Sequence, residues 1–257
     1  VDSNGDIYVA DTWNARVQRF TSDGQFIAKW GSAGEGDGEF YWPYGIAIDS
    51  SGHAYLTDTY NHRIEKFTLD GQFMVKWGSY GTGDGQFIYP RGIAVDVSGN
   101  VYVVEAQYEE SARIQKFTAD GQFVTKWGSL GSGDSEFNWP VGIAVDISGY
   151  VYVAEKGNER IQKFTADGQF VTKWGSPGSE DGQFREPWDV AVDGSGNVYV
   201  VDTLNHRIQK FTPNGDFVMK GGKFGSNPGE FSYPKGIAVS SDCLLYTSPS
   251  PRDRTRS

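Results

Sequence analysis

The chain has 257 residues, a formal net charge of −10 and an aromatic content of 15%. The negative charge disfavours sequence-independent binding of nucleic acid, which requires Lys and Arg to neutralise phosphates. No apolar run approaches the roughly 18 residues of a membrane-spanning helix, and the single cysteine, Cys243, neither requires nor excludes an oxidising compartment.

The dominant feature is a repeat that opens with a proline. Copies begin at Pro43, Pro90, Pro140, Pro187 and Pro234, at three steps of 47 residues and one of 50. A period of this length indicates an array of stacked supersecondary units. We therefore assign residues 1–242 to one repeat domain. Its copies lie near 1–42, 43–89, 90–139, 140–186 and 187–233, with a partial copy at 234–242.

Both ends of the chain depart from the repeat. The first copy enters at Val1 without its opening strand, which predicts a truncated N-terminus. Residues 243–257 change abruptly to Ser, Pro and Arg. A basic interaction tail is one interpretation; we favour a disordered end or a sequencing artefact and leave this segment out of the fold.

Each copy predicts four strands. The first two, such as Gly92–Asp96 and Val101–Val104, are nearly continuous apolar runs, typical of strands covered on both faces. The third and fourth, such as Arg160–Phe164 and Gln169–Trp174, alternate and carry Lys, which predicts positions nearer solvent. Asp- and Gly-containing turns join them. A four-stranded antiparallel sheet every ~45 residues is the blade of a β-propeller.

The repeated pattern P-x-G-I-A-V-D-x-S-G-x-V-Y-V-x-D-x-x-N-x-R-I-Q-K-F resembles the NHL repeat across residues 1–242. The resemblance implies that first strands line a central channel and fourth strands lie outermost. NHL propellers commonly have six blades, whereas this chain holds five blade equivalents, which suggests a fragment of a six-bladed propeller. We also expect Gly236–Val239 to pair with Ile7–Ala10 and so close a split blade.

Two repeated polar features favour a structural over a catalytic interpretation. An acid ends each second strand and an Arg begins each third strand, and in a scaffold such a pair braces the turn between them. An active site needs asymmetry, which a ring of identical pairs lacks. The pairs are Asp11 and Arg16, Asp58 and Arg63, Glu105 and Arg113, Glu155 and Arg160, and Asp202 and Arg207.

The three histidines, His53, His62 and His206, are too few to form the cluster that metal lyases on related propellers use. The Gly- and Asp-rich turns lack the ordered oxygen ligands of an EF-hand calcium loop. We therefore predict no catalytic residues, no metal and no cofactor. A lyase or lactonase acting at the channel mouth, or an RNA-binding NHL domain, is the alternative.

The variable positions point to binding, because variation on an invariant frame is how binding sites are placed on scaffolds. The predicted ligand-binding residues include those after the opening prolines, Asp189 in place of a repeated Gly, and the loops between second and third strands. They are Tyr44, Arg91, Trp188, Asp189, Trp13, Tyr60 and Tyr108. The loop with Tyr108 carries a three-residue insertion within 107–111.

We expect the residues after the prolines and the inserted loop to lie on one face. The aromatic residues before the prolines, Trp42, Tyr89, Trp139 and Tyr233, are interpreted as wedges between blades. The predicted function is a monomeric, non-catalytic scaffold that binds a protein, peptide or glycan and not nucleic acid. The compartment is left open, with an extracellular or cell-surface location favoured.

Overall fold

The structure, a computed structural model, describes residues 1–106 and 112–239, and the backbone of 245–248. The chain divides into two compact units, Val1–Leu130 and Gly131–Ser257. Apart from three short 3-10 turns, the regular secondary structure of the described residues consists of β-strands. Both units contain antiparallel sheets in which the four strands of a repeat copy lie side by side in the order in which they occur in the chain. These sheets are the blades of the predicted β-propeller fold. The described residues contain no helix long and apolar enough to span a membrane.

Unit 1 contains one three-stranded and two four-stranded antiparallel sheets. The three-stranded sheet is formed by Ile7–Asp11, Arg16–Phe20 and Phe26–Trp30. The next sheet is formed by Pro43–Ile48, His53–Asp58, Arg63–Thr68 and Phe73–Trp77. The last is formed by Pro90–Val95, Val101–Glu105, Arg113–Phe117 and Phe123–Trp127. The short elements are Thr12–Asn14, Ser32–Ala33, Glu39–Phe40, Thr59–Asn61 and Ser129–Leu130.

Unit 2 contains two four-stranded sheets and one two-stranded sheet. The first is formed by Pro140–Val145, Val151–Glu155, Arg160–Phe164 and Phe170–Trp174. The second is formed by Pro187–Val192, Val198–Asp202, Arg207–Phe211 and Phe217–Gly221. The third pairs Gly236–Val239 with Leu245–Ser248. The short elements are Glu136–Phe137 and Thr203–Asn205.

The expected pairing of Gly236–Val239 with Ile7–Ala10 is therefore wrong, because Gly236–Val239 pairs with a strand from the C-terminal segment instead. Any strand with unpaired backbone groups is a template for another, and Leu245–Ser248 follows a few residues later in the chain. The rest of the tail, with residues 240–244 and 249–257, lies outside the described residues, so the expectation of disorder stays a prediction.

Three fourth strands, Phe73–Trp77, Phe123–Trp127 and Phe170–Trp174, alternate between half-buried and exposed residues, as predicted. The third strands Arg113–Phe117 and Arg160–Phe164 are buried along their length, which corrects the sequence interpretation, whereas Arg16–Phe20 is mostly half-buried. The reason is the third-strand lysine, whose ammonium group lies over a buried tyrosine ring of the second strand. The distances to the ring centroids are 5.1 Å for Lys66 and Tyr55, 5.2 Å for Lys116 and Tyr102, and 5.0 Å for Lys163 and Tyr152. A cation that packs on an aromatic face does not require an exposed strand.

The predicted acid–Arg pairs are confirmed as structural braces. In the second blade, Arg63 Nε donates to Asp58 Oδ2 at 2.9 Å. The guanidinium also donates to the carbonyls of Glu35, Gly36 and Glu39 in the preceding linker. Asp58 in turn accepts the backbone N–H of Tyr41 at 2.6 Å. The pair therefore fastens the linker to the loop between the second and third strands, which positions the aromatic residues described next.

Candidate functional site

In unit 1 the residues before the opening prolines have an unusual backbone. Trp42 and Tyr89 adopt φ values of 60° and 52°, in the left-handed region that L-residues rarely occupy. Hydrogen bonds hold the linkers there: Tyr60 N donates to Tyr41 O at 3.0 Å, and Tyr89 N donates to His62 Nδ1 at 3.2 Å. This conformation places the side chains of Trp42 and Tyr89 beside the loops that carry Trp13 and Tyr60.

Four rings therefore form one continuous row, here called the aromatic row. Its members contact each other edge to face: Trp13 and Trp42 at 4.6 Å between ring centroids, Trp42 and Tyr60 at 5.4 Å, and Tyr60 and Tyr89 at 5.1 Å. Tyr41 extends the row through its contact with Tyr60 at 5.3 Å. Edge-to-face packing is a preferred geometry of neighbouring rings.

The row is open to solvent at several points. Trp13 is 67% exposed, Tyr41 55% and Tyr60 39%. Large rings usually bury most of their area in a core. A contiguous group of exposed rings is typical of a surface that binds another molecule.

An open groove of 560 Å³ begins beside Tyr60. His62 and Tyr80 line it together with polar groups from Glu35, Asn61 and Lys76. The His62 ring lies between two tyrosines, with centroids 5.0 Å from Tyr80 and 4.6 Å from Tyr89, and desolvation lowers its pKa. The groove therefore has aromatic side chains and hydrogen-bonding groups side by side.

Two further predicted residues of unit 1, Tyr44 and Arg91, contact each other. The Arg91 guanidinium carbon lies 5.4 Å from the centroid of the Tyr44 ring. The Arg91 backbone carbonyl accepts the hydroxyl of Thr57 at 2.8 Å, which ties adjacent blades together. Both side chains are half-buried, so this pair belongs partly to the packing of first strands.

In unit 2 the predicted residue Trp188 lies in a cluster of charged groups, here called the Trp188 cluster. The ammonium groups of Lys235 and Lys156 lie 4.1 and 4.9 Å from the centroid of the Trp188 ring. Lys156 also contacts the ring of Trp139 at 5.5 Å and the carboxylate of Glu186 at 3.2 Å. Trp139 is 42% exposed, so solvent reaches the edge of the cluster.

Asp189, the residue after Trp188, has a different environment. Its Oδ1 accepts the backbone N–H of Val190 at 2.9 Å and its Oδ2 that of Ile237 at 3.0 Å. Burial raises the pKa of Asp189 to about 7, and the two backbone N–H donors offset only part of that rise. A Cβ at Gly142 would lie 2.7 Å from Oδ1, so the carboxylate fits only because the neighbouring first strand has Gly.

Among the described residues, no group of three or more His, Cys, Asp or Glu side chains converges in a way that could hold a metal ion. The three histidines make hydrogen bonds or ion-pair contacts within the fold. His62 and His206 accept backbone N–H groups, and His53 Nδ1 lies 3.0 Å from Asp49 Oδ2.

The sequence profile of the NHL repeat matches residues 1–20, 40–67, 87–117, 137–164 and 184–211, together more than half of the chain. The chain belongs to the NHL-repeat family. No match was found among curated proteins. The NHL repeats predicted from the sequence are thereby confirmed.

Solved structures share the fold of this NHL protein at low identity. A streptogramin B lyase is 18% identical with a TM-score of 0.68, and the match covers 97% of this chain and 74% of the lyase. Virginiamycin B lyase from Staphylococcus aureus, in a catalytically inactive form with quinupristin, is 18% identical with a TM-score of 0.66, covering 96% and 75%. A nidogen/laminin complex contains a chain that is 20% identical with a TM-score of 0.65, covering 84% and 75%. These similarities concern the fold alone.

The structure divides the predicted site residues of this NHL protein into groups. Trp13 and Tyr60 are members of one aromatic row, Tyr44 and Arg91 form a pair, and Trp188 centres the cluster in unit 2. The insertion with Tyr108 lies outside the described residues.

Sequence reasoning missed several members of both surfaces. Trp42 contacts Trp13 and Tyr60 of two neighbouring copies, as a wedge between blades would, and Tyr89 contacts Tyr60; sequence reasoning did not predict that these contacts join the rings into one row. Lys156 and Lys235 were not singled out as binding residues. One signal was present in the sequence: Lys156 stands where Thr12, Thr59 and Thr203 occur in other NHL copies.

Proposed function

We propose that this NHL propeller is a non-catalytic binding scaffold and that the aromatic row of unit 1 receives a protein, peptide or glycan partner. The observation that carries the proposal is the continuity of the row: Trp13, Trp42, Tyr60 and Tyr89 contact each other in sequence, and Trp13 remains 67% exposed. Aromatic side chains dominate the energetics of many interfaces because they bury large area at low entropic cost.

The repeat frame supports this interpretation. The braces between acid and Arg recur in the five blades, whereas the side chain at the loop tip changes from Trp13 to Tyr60 to Leu204. Constant residues therefore hold the loops and variable ones form their surface, as in other scaffolds that carry binding sites on loops. The similar fold within a nidogen/laminin complex is consistent with a propeller that assembles with another protein.

The edge-to-face arrangement of the row also limits the partner's chemistry. Exposed aromatic rings pack against proline rings, aliphatic side chains or the apolar faces of sugars. The groove beside Tyr60 adds the carboxylate of Glu35 and the ammonium group of Lys76, which can orient polar groups of a partner.

The proposal is tested with peptide and glycan arrays probed by the whole chain and by a Trp13→Ala/Tyr60→Ala double variant. We expect the wild-type protein to bind a subset of one array and the double variant to lose that subset. A matched control is Phe224→Ala, because Phe224 is 65% exposed and lies in unit 2. The absence of any bound array member, or equal binding by the double variant, would contradict the proposal.

A further inference from the structure

His62 makes a hydrogen bond that orients one end of the aromatic row. Its Nδ1 atom accepts the backbone N–H of Tyr89 at 3.2 Å, and Tyr89 has a left-handed φ of 52°. The Tyr89 ring packs edge to face on Tyr60, with 5.1 Å between the ring centroids. One imidazole acceptor therefore helps to hold the Tyr89 end of the row in place.

The imidazole ring itself packs between two aromatic side chains. Its centroid lies 4.6 Å from that of Tyr89 and 5.0 Å from that of Tyr80. His62 follows directly after the 3-10 turn Thr59–Asn61, which carries Tyr60. The loop with Tyr60 and the linker with Tyr89 are thus joined through the side chain of His62.

The hydrogen bond to Tyr89 exists only while the imidazole is neutral. A neutral ring has one nitrogen that donates and one that accepts, and both nitrogens donate after protonation. Protonated His62 would therefore direct an N–H at the N–H of Tyr89. Desolvation lowers the pKa of His62 from its ordinary value of 6.5. The acceptor is therefore present at neutral pH and is lost as the pH falls below 6.5.

Several charged side chains border the elements that pack on His62. They are Glu35, Arg63 and Lys76 along the groove and the brace carboxylates Asp58 and Glu105, which hold the linkers on either side. Arginine, lysine and tyrosine side chains do not change charge in the acid range, whereas carboxylates take up protons there. Burial raises the pKa of both Asp58 and Glu105. A test of His62 must therefore separate its protonation from that of these acids.

Unit 2 contains the same arrangement at His206. Its Nδ1 accepts the backbone N–H of Tyr233 at 3.2 Å, its ring lies between those of Phe224 and Tyr233, and desolvation lowers its pKa. The loop before His206 has Leu204 where the second copy has Tyr60. His206 therefore shares the chemistry of His62, but the loop beside it offers no ring at the position of Tyr60, which makes it an internal control.

We propose that protonation of His62 releases Tyr89 from the aromatic row and thereby weakens binding by the row in acid. Above pH 6.5 the neutral imidazole holds Tyr89 beside Tyr60, and the partner binds the complete row. As the pH falls, proton uptake by His62 breaks the bond to the Tyr89 N–H, and the partner is released. The effect on binding rests on the proposed function of the row, whereas the release of Tyr89 does not.

Proton uptake and partner binding are then coupled in both directions. A partner that prefers the complete row favours neutral His62, so it must weaken proton binding by His62 by the same factor. A tenfold difference in affinity lowers the midpoint of the His62 titration by about one pH unit. A histidine with a purely structural role away from the binding surface would not show this shift.

The first experiment needs no partner. The whole chain is titrated from about pH 7.5 to about pH 4.5, and NMR follows the ring protons of His62 and the nuclear Overhauser effects between the rings of Tyr60 and Tyr89. We expect these ring-to-ring signals to weaken with the same midpoint as the His62 titration. Signals that persist through that midpoint would overturn the proposal.

Two substitutions at His62 isolate the imidazole. His62→Asn places an amide oxygen at the position of Nδ1, and Asn tolerates a positive φ, so the acceptor for Tyr89 remains at every pH. His62→Ala removes the acceptor, and Ala15 shows that this repeat position accepts Ala at a φ of 47°. We expect the ring-to-ring signals to persist in acid with Asn and to be weak at every pH with Ala. The brace carboxylates are unchanged in both variants, so pH dependence that survives in His62→Asn is theirs.

The second experiment measures the affinity for the array member that binds most tightly at about pH 7.5. We expect the affinity of wild type and of His206→Asn to fall at least about fivefold as His62 is protonated, and that of His62→Asn to stay within about twofold. The bound array member should also lower the midpoint of the His62 titration and leave that of His206 unchanged. An equal fall for wild type and His62→Asn would overturn the regulation. An array without any bound member contradicts the proposed function, and the partner-free NMR titration still decides whether His62 releases Tyr89.

Discussion

Glu65 Oε1 lies 2.5 Å from Arg63 Nη2 without hydrogen-bond geometry, while Glu65 Oε2 accepts the backbone N–H of Gly38 at 2.9 Å. The corresponding residue is Gln in every other third strand: Gln18, Gln115, Gln162 and Gln209. There the amide donates as well as accepts, as in Gln115 Nε2 to the carbonyl of Gln86 at 2.7 Å and to Glu105 Oε1 at 2.9 Å. Glu65 has no such donor when ionised, and burial raises its pKa to about 7.

The first prediction follows from that difference. Glu65→Gln should raise the free energy of unfolding at pH 8 by about 1–3 kcal/mol, because the amide restores donors that a buried carboxylate lacks. The folded-state pKa is above the unfolded one, so the wild-type stability associated with Glu65 is greatest below about pH 4.5 and falls as pH rises to about 7. Urea unfolding at several pH values measures this. The reverse variant, Gln115→Glu, should lose stability over the same pH range. Equal free energies of unfolding for Glu65→Gln and wild type at pH 8 would contradict this prediction.

The second prediction concerns Asp189, whose pKa of about 7 also exceeds its ordinary value of 3.8. The folded protein therefore binds this proton more tightly than the unfolded chain, and stability falls as pH rises from about 4 to about 7. In a Glu65→Gln background, Asp189→Asn should reduce the remaining fall in the free energy of unfolding between about pH 4 and about pH 7. A slope that is the same with Asp and Asn at position 189 would show that the carboxylate is ionised well below pH 7.

The third prediction concerns the two histidines that follow the 3-10 turns. His62 and His206 each accept a backbone N–H at 3.2 Å through Nδ1, and desolvation lowers the pKa of both. Protonation would remove that acceptor, so their contribution to stability is present above pH 6.5 and lost as pH falls through their folded-state pKa values. NMR titration of the ring protons should give midpoints below 6.5 for both residues. A midpoint at or above 6.5 would contradict this account.

The fourth prediction tests the packing of first strands. Ala144 packs against a buried cluster in unit 2 that includes Val190 and Phe184. Ala144→Leu should overpack this contact and lower the free energy of unfolding by about 1–3 kcal/mol. Val171→Leu is the matched control, because Val171 on a fourth strand is 44% exposed and tolerates a larger side chain. Equal melting temperatures for the two variants would show that the first strands have room at Ala144.

The repeat period made the strands, the turns and the acid–Arg braces predictable, because each depends on residues close in sequence. The burial of third strands was not predictable in this way. A lysine such as Lys66 predicts a solvent-facing position, and the sequence does not show that its ammonium group packs on the ring of Tyr55. The aromatic row likewise joins rings from different copies. Trp42 and Tyr60 are 18 positions apart, and their contact depends on the left-handed backbone at Trp42 and on the hydrogen bond from Tyr60 N to Tyr41 O.

Asp189 illustrates a different limit. Its replacement of a repeated Gly marked a special position, but the sequence did not distinguish a surface ligand from a half-buried carboxylate that accepts backbone N–H groups. The distinction depends on Gly142 of the neighbouring strand and on the backbone N–H of Ile237, neither of which is near Asp189 in sequence. Its assignment as a ligand-binding residue stays a prediction.

The central claim is that the aromatic row binds a partner rather than holding blades together, and Trp13→Ala tests it most directly. The two quantities to measure are the free energy of unfolding and the affinity for the strongest array ligand. Because Trp13 is 67% exposed, we expect the free energy of unfolding to fall by less than about 1 kcal/mol and the affinity to fall at least tenfold. A large loss of stability with unchanged affinity in the folded fraction would contradict the account.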